Sequence, residues 1–426
     1  MSFLRTAPWG AACVWMAASA IASPAPPAPP APPDHLATPA VREAVRRAWA
    51  SSPDIQAADA ERRAAAARVN AAAQPVYNPT LSLEGENADV DRRTIGASLA
   101  LDLGGKRRAR TSEAEAALGA SEAAYAIRRR NVASAWLKAW TGSLLATRQD
   151  ELGRRRLDLM RRFDRLAAKR LAVGDIGAPE RDLAALARGE AEIQQATLAG
   201  QEAAARASLA AVDATTGGSL PPLPAALPPS ADTVIPRDAE DRPEMLEALA
   251  QQRRADAAIE VARSQRRPDP TVAFTGGRVR VGSRSDRVIG LSVSLPLPVL
   301  NTGRADLVAA SAAADAVTAN RRAVLLRSNA ELARQRTSYA ALRSAAEAFR
   351  ASRASAFDER TALLEQLWQA GEIGTSDYLV QLKQSLDTAL SGLALEAQAW
   401  QAWFDYLSAS GHLTEWIDTS PKDVSP

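Results

Sequence analysis

Two segments of the chain alternate apolar and polar residues over about ten positions each. Their apolar positions are Ile95, Ala97, Leu99, Leu101 and Leu103 in the first and Ile289, Leu291, Val293, Leu295 and Leu297 in the second. Successive side chains of a β-strand point to opposite faces, so a period of two is typical of a half-exposed strand. A shorter alternating segment precedes each one, and the pattern therefore predicts two β-hairpins, at 80–103 and 271–297.

Long segments that lack helix-breaking residues come after the two hairpins. Residues 304–370 contain no Gly or Pro over 67 positions, and residues 105–172 contain no Pro. Apolar residues of the second segment recur every seven positions, at Leu325, Leu332, Tyr339 and Ala346. This is coiled-coil spacing, and a helix of that length would extend about 100 Å. The pattern predicts long helices at 105–172 and 303–370, packed side by side in an elongated assembly.

Four sequence markers occur twice in the same order, which indicates a tandem duplication. The paired markers are Pro53-Asp54-Ile55 with Pro243-Glu244-Met245, Asn78-Pro79-Thr80 with Asp269-Pro270-Thr271, Ile95-Gly96-Ala97 with Ile289-Gly290-Leu291, and Gly174-Asp175-Ile176-Gly177 with Gly371-Glu372-Ile373-Gly374. The offset between partners rises slowly, from 190 to 197 residues. The repeats are 39–214 and 242–410, joined by a linker at 215–241. Each is predicted to contain a helix, a hairpin, a long helix, a tight turn and a last helix, at 178–213 and 375–410. In the first repeat, Ser52 as N-cap and Pro53 in the first turn predict the start of the first helix.

The N-terminus has the pattern of a Sec-type secretory signal peptide over residues 1–22. An uncharged apolar stretch ends there at Ala20–Ala22, a small-x-small cleavage pattern. A Pro-rich extended arm comes next at 23–38, and a short tail closes the chain at 411–426. Cys13 lies too early, inside the apolar stretch, for a lipid attachment site. Export is therefore predicted, and lipidation is not expected.

The hairpins are the candidate membrane-spanning elements, because no later segment has about 18 consecutive apolar residues. Their length and alternation are typical of membrane-spanning strands, whereas the competing interpretation is a half-buried soluble hairpin packed on helices. The signal peptide and the duplication favour the membrane. Four strands are fewer than the roughly eight that close a barrel, so two or three chains would have to share one.

Composition and charge argue against several classes of function. The chain has 52 Lys and Arg against 49 Asp and Glu, interspersed along the sequence, so no nucleic-acid partner is expected. The Arg-rich run at 154–165 is interleaved with acids and is interpreted as a solvated helical face. Trp136 and Trp140, one helical turn apart, are interpreted as packing residues. One Cys, two His and the lack of catalytic motifs predict no enzymatic activity, cofactor or resident metal.

Several segments of the chain resemble the TolC-type outer-membrane factors. These segments are Asn78–Glu84, Leu101–Arg107, Arg267–Thr271 and Ser294–Asn301, together with the two Gly-Asp/Glu-Ile-Gly turns. The resemblance covers roughly residues 40 to 410 and is greatest to the CzcC-like branch, which serves heavy-metal pumps of the resistance-nodulation-division class. It implies a mainly α homotrimer, in which three chains share a β-barrel in the outer membrane above a long α-helical barrel in the periplasm. The linker and the tail would form an equatorial region around the helices.

The function that the resemblance implies is that of an exit duct for heavy-metal cations. Its implied partners are a periplasmic adaptor protein, an inner-membrane resistance-nodulation-division transporter and the surrounding outer-membrane lipid. Two alternatives stay open. An outer-membrane factor of a drug-efflux or type I secretion system shares the architecture. A periplasmic coiled-coil adaptor would carry one helical hairpin in a β-rich body, not two full repeats.

By resemblance, the turns at 173–177 and 371–374 form the periplasmic tip, which contains the aperture and the adaptor docking surface. The tip residues are Gly174, Asp175, Ile176, Gly177, Gly371, Glu372, Ile373 and Gly374. Six residues after the first Gly of each turn stands a carboxylate, Glu180 or Asp377, a candidate for an entrance gate. Val380 occupies a position where some family members have a second acid. The competing interpretations are a plain helix-hairpin turn and a solvated carboxylate stabilised by the helix dipole.

Overall fold

The computed structural model of the protein describes residues 37–87, 89–213, 220–352 and 356–418. These residues form nine α-helices and one four-stranded antiparallel sheet, which confirms the predicted mainly α fold with a small β part. The helices are α1 (Pro39–Ser51), α2 (Pro53–Ala72), α3 (Lys106–Ala172), α4 (Ala178–Val212), α5 (Pro243–Gln265), α6 (Arg304–Ala351), α7 (Phe357–Gln369), α8 (Thr375–Ser410) and α9 (Leu413–Asp418). The strands are β1 (Thr80–Asn87), β2 (Val90–Ala100), β3 (Thr271–Val281) and β4 (Arg284–Ser294).

Some predictions fall on residues outside the described ranges. They include the signal peptide at 1–22 with Cys13, most of the Pro-rich arm, and the tail after Asp418. Among the described helices, none combines the length and the apolar character that a membrane crossing requires.

A serine and a proline separate α1 from α2. The Ser52 hydroxyl accepts a hydrogen bond from the N–H of Ile55 at 3.5 Å, and Pro53 occupies the first turn of α2. The sequence pattern predicted this start but did not predict α1 as a separate helix. α1 begins in the same way at Thr38, whose hydroxyl accepts from the N–H of Val41 at 3.4 Å.

α3 is the longest element, with 67 residues and hence a length of about 100 Å. α4 runs back along its C-terminal half, where Asp164 accepts from Arg188 at 3.0 Å and Asp150 accepts from Gln195 at 2.6 Å. α2 and α5 pack along its N-terminal half, and α6 packs against both α5 and α8. The shorter helices therefore line up beside the long ones.

The single helix predicted over 303–370 is instead two helices, α6 and α7. The backbone leaves the helical region at Ser352, with φ −83° and ψ 157°, and its hydroxyl donates to the carbonyl of Phe349 at 2.7 Å. A serine that bonds to its own helix competes with helical hydrogen bonds and favours a helix end. Asp358 and Glu359 then lie in the first turn of α7, where negative charge is stabilised. The absence of Gly and Pro did not reveal this break.

The two hairpins join into one meander, in the order β1-β2-β3-β4. β2 of the first repeat pairs with β3 of the second, for example Ala97 with Phe274. β2 and β4 lie closer to the hairpin turns than the alternation predicted, and they end at Ala100 and Ser294. The reason is that β3, which pairs with both, begins only at Thr271, so later residues have no strand opposite them.

The main core lies midway along the helices. Trp136 and Trp140 of α3 are buried there and stacked, with ring centroids 5.8 Å apart. Tyr339 of α6 packs on Trp403 of α8 at 5.1 Å. The Trp140 indole donates to the carbonyl of Pro221 in the linker at 2.9 Å, and residues of α1 and α9 belong to the same core. The linker and both ends of the described chain therefore pack on the helices at this level.

Candidate functional site

The turn between α3 and α4 is a Schellman motif, in which glycine ends the helix in the left-handed conformation. Gly174 has a φ of 76°. Its N–H donates to the carbonyl of Leu171 at 3.0 Å, and the N–H of Asp175 donates to the carbonyl of Arg170 at 2.9 Å. A side chain is disfavoured at this φ, which explains the glycine.

The turn between α7 and α8 has the same construction. Gly371 has a φ of 77°, and its N–H donates to the carbonyl of Trp368 at 3.1 Å. The N–H of Glu372 donates to the carbonyl of Leu367 at 3.0 Å. The duplicated sequence thus produces a duplicated turn.

The two candidate gate carboxylates occupy equivalent places, in the first turn of α4 and of α8. Glu180 is exposed, and its carboxylate accepts a hydrogen bond from the N–H of Gly177, the N-cap residue, at 3.2 Å. Asp377 is also exposed and stands three residues after the N-cap Gly374. In the single chain, Glu180 satisfies a free N–H of its own helix and lies where the helix dipole favours negative charge.

Three aromatic side chains hold the two helical hairpins, α3–α4 and α7–α8, together near their turns. Phe163 of α3 lies 4.7 Å from Trp368 of α7 and 5.3 Å from Tyr378 of α8, and the last two are 5.2 Å apart, between ring centroids. All three are buried. The Trp368 indole also donates to the hydroxyl of Thr375 at 3.4 Å, and the Arg170 guanidinium lies 4.9 Å from the Trp368 ring centroid. We call Phe163, Trp368 and Tyr378 the tip triad.

Burial dominates the chemistry of the phenol in this triad. It raises the pKa of Tyr378 to about 12, the negative charge of Glu365 adds to the rise, and Arg162 opposes it. The hydroxyl therefore stays protonated at neutral pH and contributes an apolar ring and a neutral dipole.

The tip triad brings the two turns to the same end of the molecule. Ile176 of the first turn and Ile373 of the second both pack against the core that contains the triad. The remaining predicted tip residues are exposed, namely Gly174, Asp175, Gly177, Gly371, Glu372 and Gly374. Val380 is 63% exposed and supplies no acid. The side chain of Lys383 in α8 also forms an ion pair with Glu190 in α4, which links the two helical hairpins a second time.

One expectation about charge is wrong. Arg156 belongs to the run interpreted as a solvated face, yet it is buried and donates to the side chain of Gln194 in α4. It lies seven residues before Phe163 and therefore on the same face of α3. Arg154 and Arg155 are exposed, as expected. The helical register places Arg156 between α3 and α4, which the charge pattern did not show.

Sequence reasoning missed two further groups. The sequence contains only a weak indication of the tip triad: Trp368 and Tyr378 flank a turn at which two helices must meet, so their side chains could pack together. A second group, Tyr77, Lys106 and Asp269, lies where the helices meet the sheet, and nothing in the spacing of these residues indicated it. In the described residues, no cluster of three or more His, Cys, Asp or Glu is placed to bind a metal ion.

Comparison with known proteins agrees with this architecture. Residues 44–215 match the family described as outer membrane efflux protein. The cobalt-zinc-cadmium resistance protein CzcC of Cupriavidus metallidurans is 27% identical over 252 residues, which are 57% of this chain. The match spans 59% of the length of that relative.

Solved structures show the fold over nearly the whole chain. The Campylobacter jejuni CmeC outer membrane channel superposes with a TM-score of 0.72 at 16% identity, over 88% of this chain and 86% of that one. A membrane protein from Pseudomonas aeruginosa gives 0.73 at 21% identity, over 92% and 100%. At these identities the two structures show that the chain shares their fold. With residues 44–215 matched to the outer membrane efflux protein family and the fold of 88% of the chain shared with an outer membrane channel, the resemblance of this chain to the TolC-type outer-membrane factors is confirmed.

Proposed function

We propose that this chain is the outer-membrane channel of a three-component efflux pump of the resistance-nodulation-division type. The observation that carries the proposal is the exposed apolar face of the sheet. Leu83, Ile289 and Leu291 on that face are 76%, 76% and 73% exposed. Contiguous exposed apolar surface of this kind marks an interaction with membrane or protein. The alternation of the strands is that of a lipid-facing barrel wall.

The same sheet supports an oligomer, and the resemblance to the TolC-type outer-membrane factors makes three the number of copies that we propose. Four strands cannot close a barrel, whereas three copies would supply twelve strands, a number within the range of outer-membrane barrels. The helices also have unpartnered apolar surface: Leu183, Leu186 and Ile193 on α4 are 43%, 69% and 72% exposed. Their spacing of three and seven places them on one face of the helix, where a neighbouring subunit or an adaptor would cover them.

In this arrangement the tip points into the periplasm. Three copies of the turns at 173–177 and 371–374 surround the entrance, where a periplasmic adaptor docks. Three copies each of Glu180 and Asp377 place up to six carboxylates around one axis, which concentrates cations at the entrance.

Heavy-metal cations are the cargo we favour. The support is the similarity to CzcC, a protein named for resistance to cobalt, zinc and cadmium. A duct for drugs or secreted peptides would share the fold, and the presence of pump genes of one class beside this gene would separate the two. The periplasmic-adaptor alternative leaves the exposed apolar sheet without a role.

Neighbouring substitutions on opposite faces of β4 test the membrane assignment. Leu291→Asp places a charge on the exposed apolar face, and we expect loss of trimer from the outer-membrane fraction, because a charged side chain that faces lipid destabilises each copy. Ser292→Asp, one residue later on the other face, is the control and should assemble normally. Crosslinking of the purified wild type in detergent should give a three-chain species. A stable, detergent-independent monomer would contradict the proposal.

Deletion of the gene tests the cargo. Cells that lack this chain should become sensitive to divalent cobalt, zinc or cadmium only when the cognate pump is present. Equal sensitivity with and without the pump genes would refute the metal assignment and leave the channel assignment standing.

A further inference from the structure

An unbroken row of arginines borders the apolar face of the sheet at the end away from the helices. Strand pairing places Gly85 opposite Arg93, Arg93 opposite Arg278, and Arg278 opposite Arg287. Each arginine is in step with the apolar positions of its own strand, as Arg93 is with Ile95, and therefore lies on the same face. Three neighbouring strands thus end their apolar surface with a guanidinium.

These arginines carry an unbalanced charge. Arg93 pairs with Asp91 at 3.3 Å, the one ion pair that the row makes in the part of the chain that the structure describes. Arg278 and Arg287 are exposed, and within the same described residues neither forms an ion pair. Arg280 adds a fourth positive charge in the next row, opposite Asp91. Like charges directly across a strand pair repel one another, so an anion bound from outside would stabilise this row.

The opposite face of the sheet lacks this excess at the same level. There the strand pairing aligns Glu86 with Arg92, and Arg284 pairs with Asp286 at 3.3 Å. Acids and bases alternate on that face, so the excess positive charge belongs to the apolar face alone. Charged residues are common at the ends of hairpins, but an excess of one sign on one face only is typical of a binding surface.

Two arginines of the row also line a depression of about 710 Å³ in the sheet. Arg93, Arg278 and Arg280 line it together with Asp91, Gly85 and Gly276, and Arg287 lies beside it on the same face. A Cβ atom added at either glycine would meet no other atom within 4 Å, so these two positions leave open space. This face is apolar on the side toward the helices, basic on the side toward the hairpin turns, and recessed where the two meet. It therefore matches a lipid whose acyl chains end in an anionic headgroup.

We propose that this row binds the phosphate groups of phosphorylated glycolipid in the outer leaflet of the outer membrane. The inference rests on the proposed function, because it requires the sheet to be embedded with its hairpin turns facing outward. The guanidinium fork bonds two phosphate oxygens at once, and a phosphomonoester carries more than one negative charge at neutral pH. Directly opposed residues have Cβ atoms about 5 Å apart, so adjacent arginines reach one headgroup.

The test measures lipid binding to the purified full-length protein by native mass spectrometry. Bisphosphorylated lipid A and the same lipid after removal of both phosphates are added to protein in detergent, with inorganic phosphate as a third arm. The test variant is the double change Arg278→Gln and Arg287→Gln. The matched control is Arg92→Gln with Arg284→Gln, which removes two charges near the same hairpin ends from the opposite face.

We expect the test variant to lose roughly ten-fold or more in affinity for phosphorylated lipid A, and the control to stay close to wild type. Dephosphorylated lipid A should bind all three proteins weakly and equally, and inorganic phosphate should not displace the lipid. Equal affinity of wild type and test variant for phosphorylated lipid A would overturn the proposal, and so would an equal loss in the control. Reconstitution of the wild type into phosphatidylcholine vesicles distinguishes failure of the proposed function from failure of this inference. Failure to insert refutes the membrane assignment. Insertion without a preference for the phosphorylated lipid refutes this inference alone.

Discussion

The ammonium group of Lys106 donates a hydrogen bond to the carboxylate of Asp269 at 2.7 Å. Lys106 begins α3 in the first repeat, and Asp269 stands two residues before β3 in the second. The hydroxyl of Tyr77 donates to the same oxygen at 2.6 Å. One buried carboxylate therefore joins the two repeats where the helices meet the sheet.

The first prediction is that Asp269→Asn destabilises the protein by about 2–3 kcal/mol, because it removes one partner of a largely buried ion pair. The side chains of Asp269 and Lys106 are 4% and 16% exposed, so water screens the pair little. Thermal unfolding in detergent measures the effect. Asn78 occupies the equivalent position of the first repeat and is exposed, so Asn78→Ala is the control and should have little effect. Equal melting of the Asp269 variant and wild type would show that the pair contributes nothing.

The second prediction concerns pH. Burial opposes the charge on Asp269 most strongly, but the hydrogen bonds from Lys106 and Tyr77 outweigh it, so the pKa of Asp269 lies below its ordinary 3.8. The unfolded chain then binds more protons, and the stabilisation is present above pH 3.8 and lost as pH falls through the folded pKa. Burial likewise opposes the charge on Lys106, yet its bond to Asp269 raises its pKa above 10.5. The stabilisation from Lys106 is therefore present below pH 10.5 and lost as pH rises through the folded pKa.

Melting curves between about pH 2 and pH 7 check the acid limb. The wild type should lose more stability on acidification than Asp269→Asn, and the two curves should converge at the lowest pH. Parallel curves over the whole range would contradict this linkage.

The third prediction addresses the joining of the repeats by β2 and β3. A Cβ atom at Gly277 would overlap the carbonyl oxygen of Arg93 and lie 2.8 Å from the Cα of Thr94. Backbone atoms of a paired strand cannot move aside, so Gly277→Ala should reduce the amount of assembled trimer several-fold. Gly276, one residue earlier, has open space where its side chain would be, and Gly276→Ala should assemble like wild type. Quantitative blotting of crosslinked outer-membrane fractions compares the two. Similar yields would mean that this register is not used in the assembled protein.

The fourth prediction tests the tip triad. Trp368→Ala removes a buried aromatic side chain from all its contacts with α3 and α8, which should cost about 3–5 kcal/mol locally. We expect faster proteolysis at the exposed turns 173–177 and 371–374, while the main core around Trp136 remains protected. Val380→Ala changes an exposed residue of the same region and serves as the control. Unchanged cleavage at the turns would show that the tip triad does not hold the two helical hairpins together.

The fifth prediction concerns Glu180 and Asp377. The double change Glu180→Ala and Asp377→Ala should lower the cation preference of single channels in a planar bilayer and relieve block by trivalent cations added from the periplasmic side, while the trimer persists. Asp182 and Asp387, exposed on the same two helices, provide the control pair. Unchanged selectivity and block would leave Glu180 with the local role that the structure shows, accepting the N–H of Gly177.

Much of the architecture was readable from local sequence signals. Ser52 and Pro53 predicted the start of α2, the stretch without proline predicted α3, and Gly174 and Gly371 predicted the two turns. Each signal depends on the backbone of a few neighbouring residues, so it acts before any tertiary contact forms. Local signals were insufficient at Ser352, where the helix ends without Gly or Pro.

The sequence by itself predicted the two hairpins and the bounds of α3, α4 and α8, because periodicity and capping are properties of neighbouring residues. Tertiary structure alone decided how the repeats meet. The pairing of β2 with β3, the contact of Phe163 with Trp368 and Tyr378, and the bond from Lys106 to Asp269 join residues more than a hundred positions apart. No local pattern encodes such partners, since each depends on the whole chain placing two surfaces together. The same is true of the arginine row, whose members are scattered in the sequence and become neighbours only through strand register.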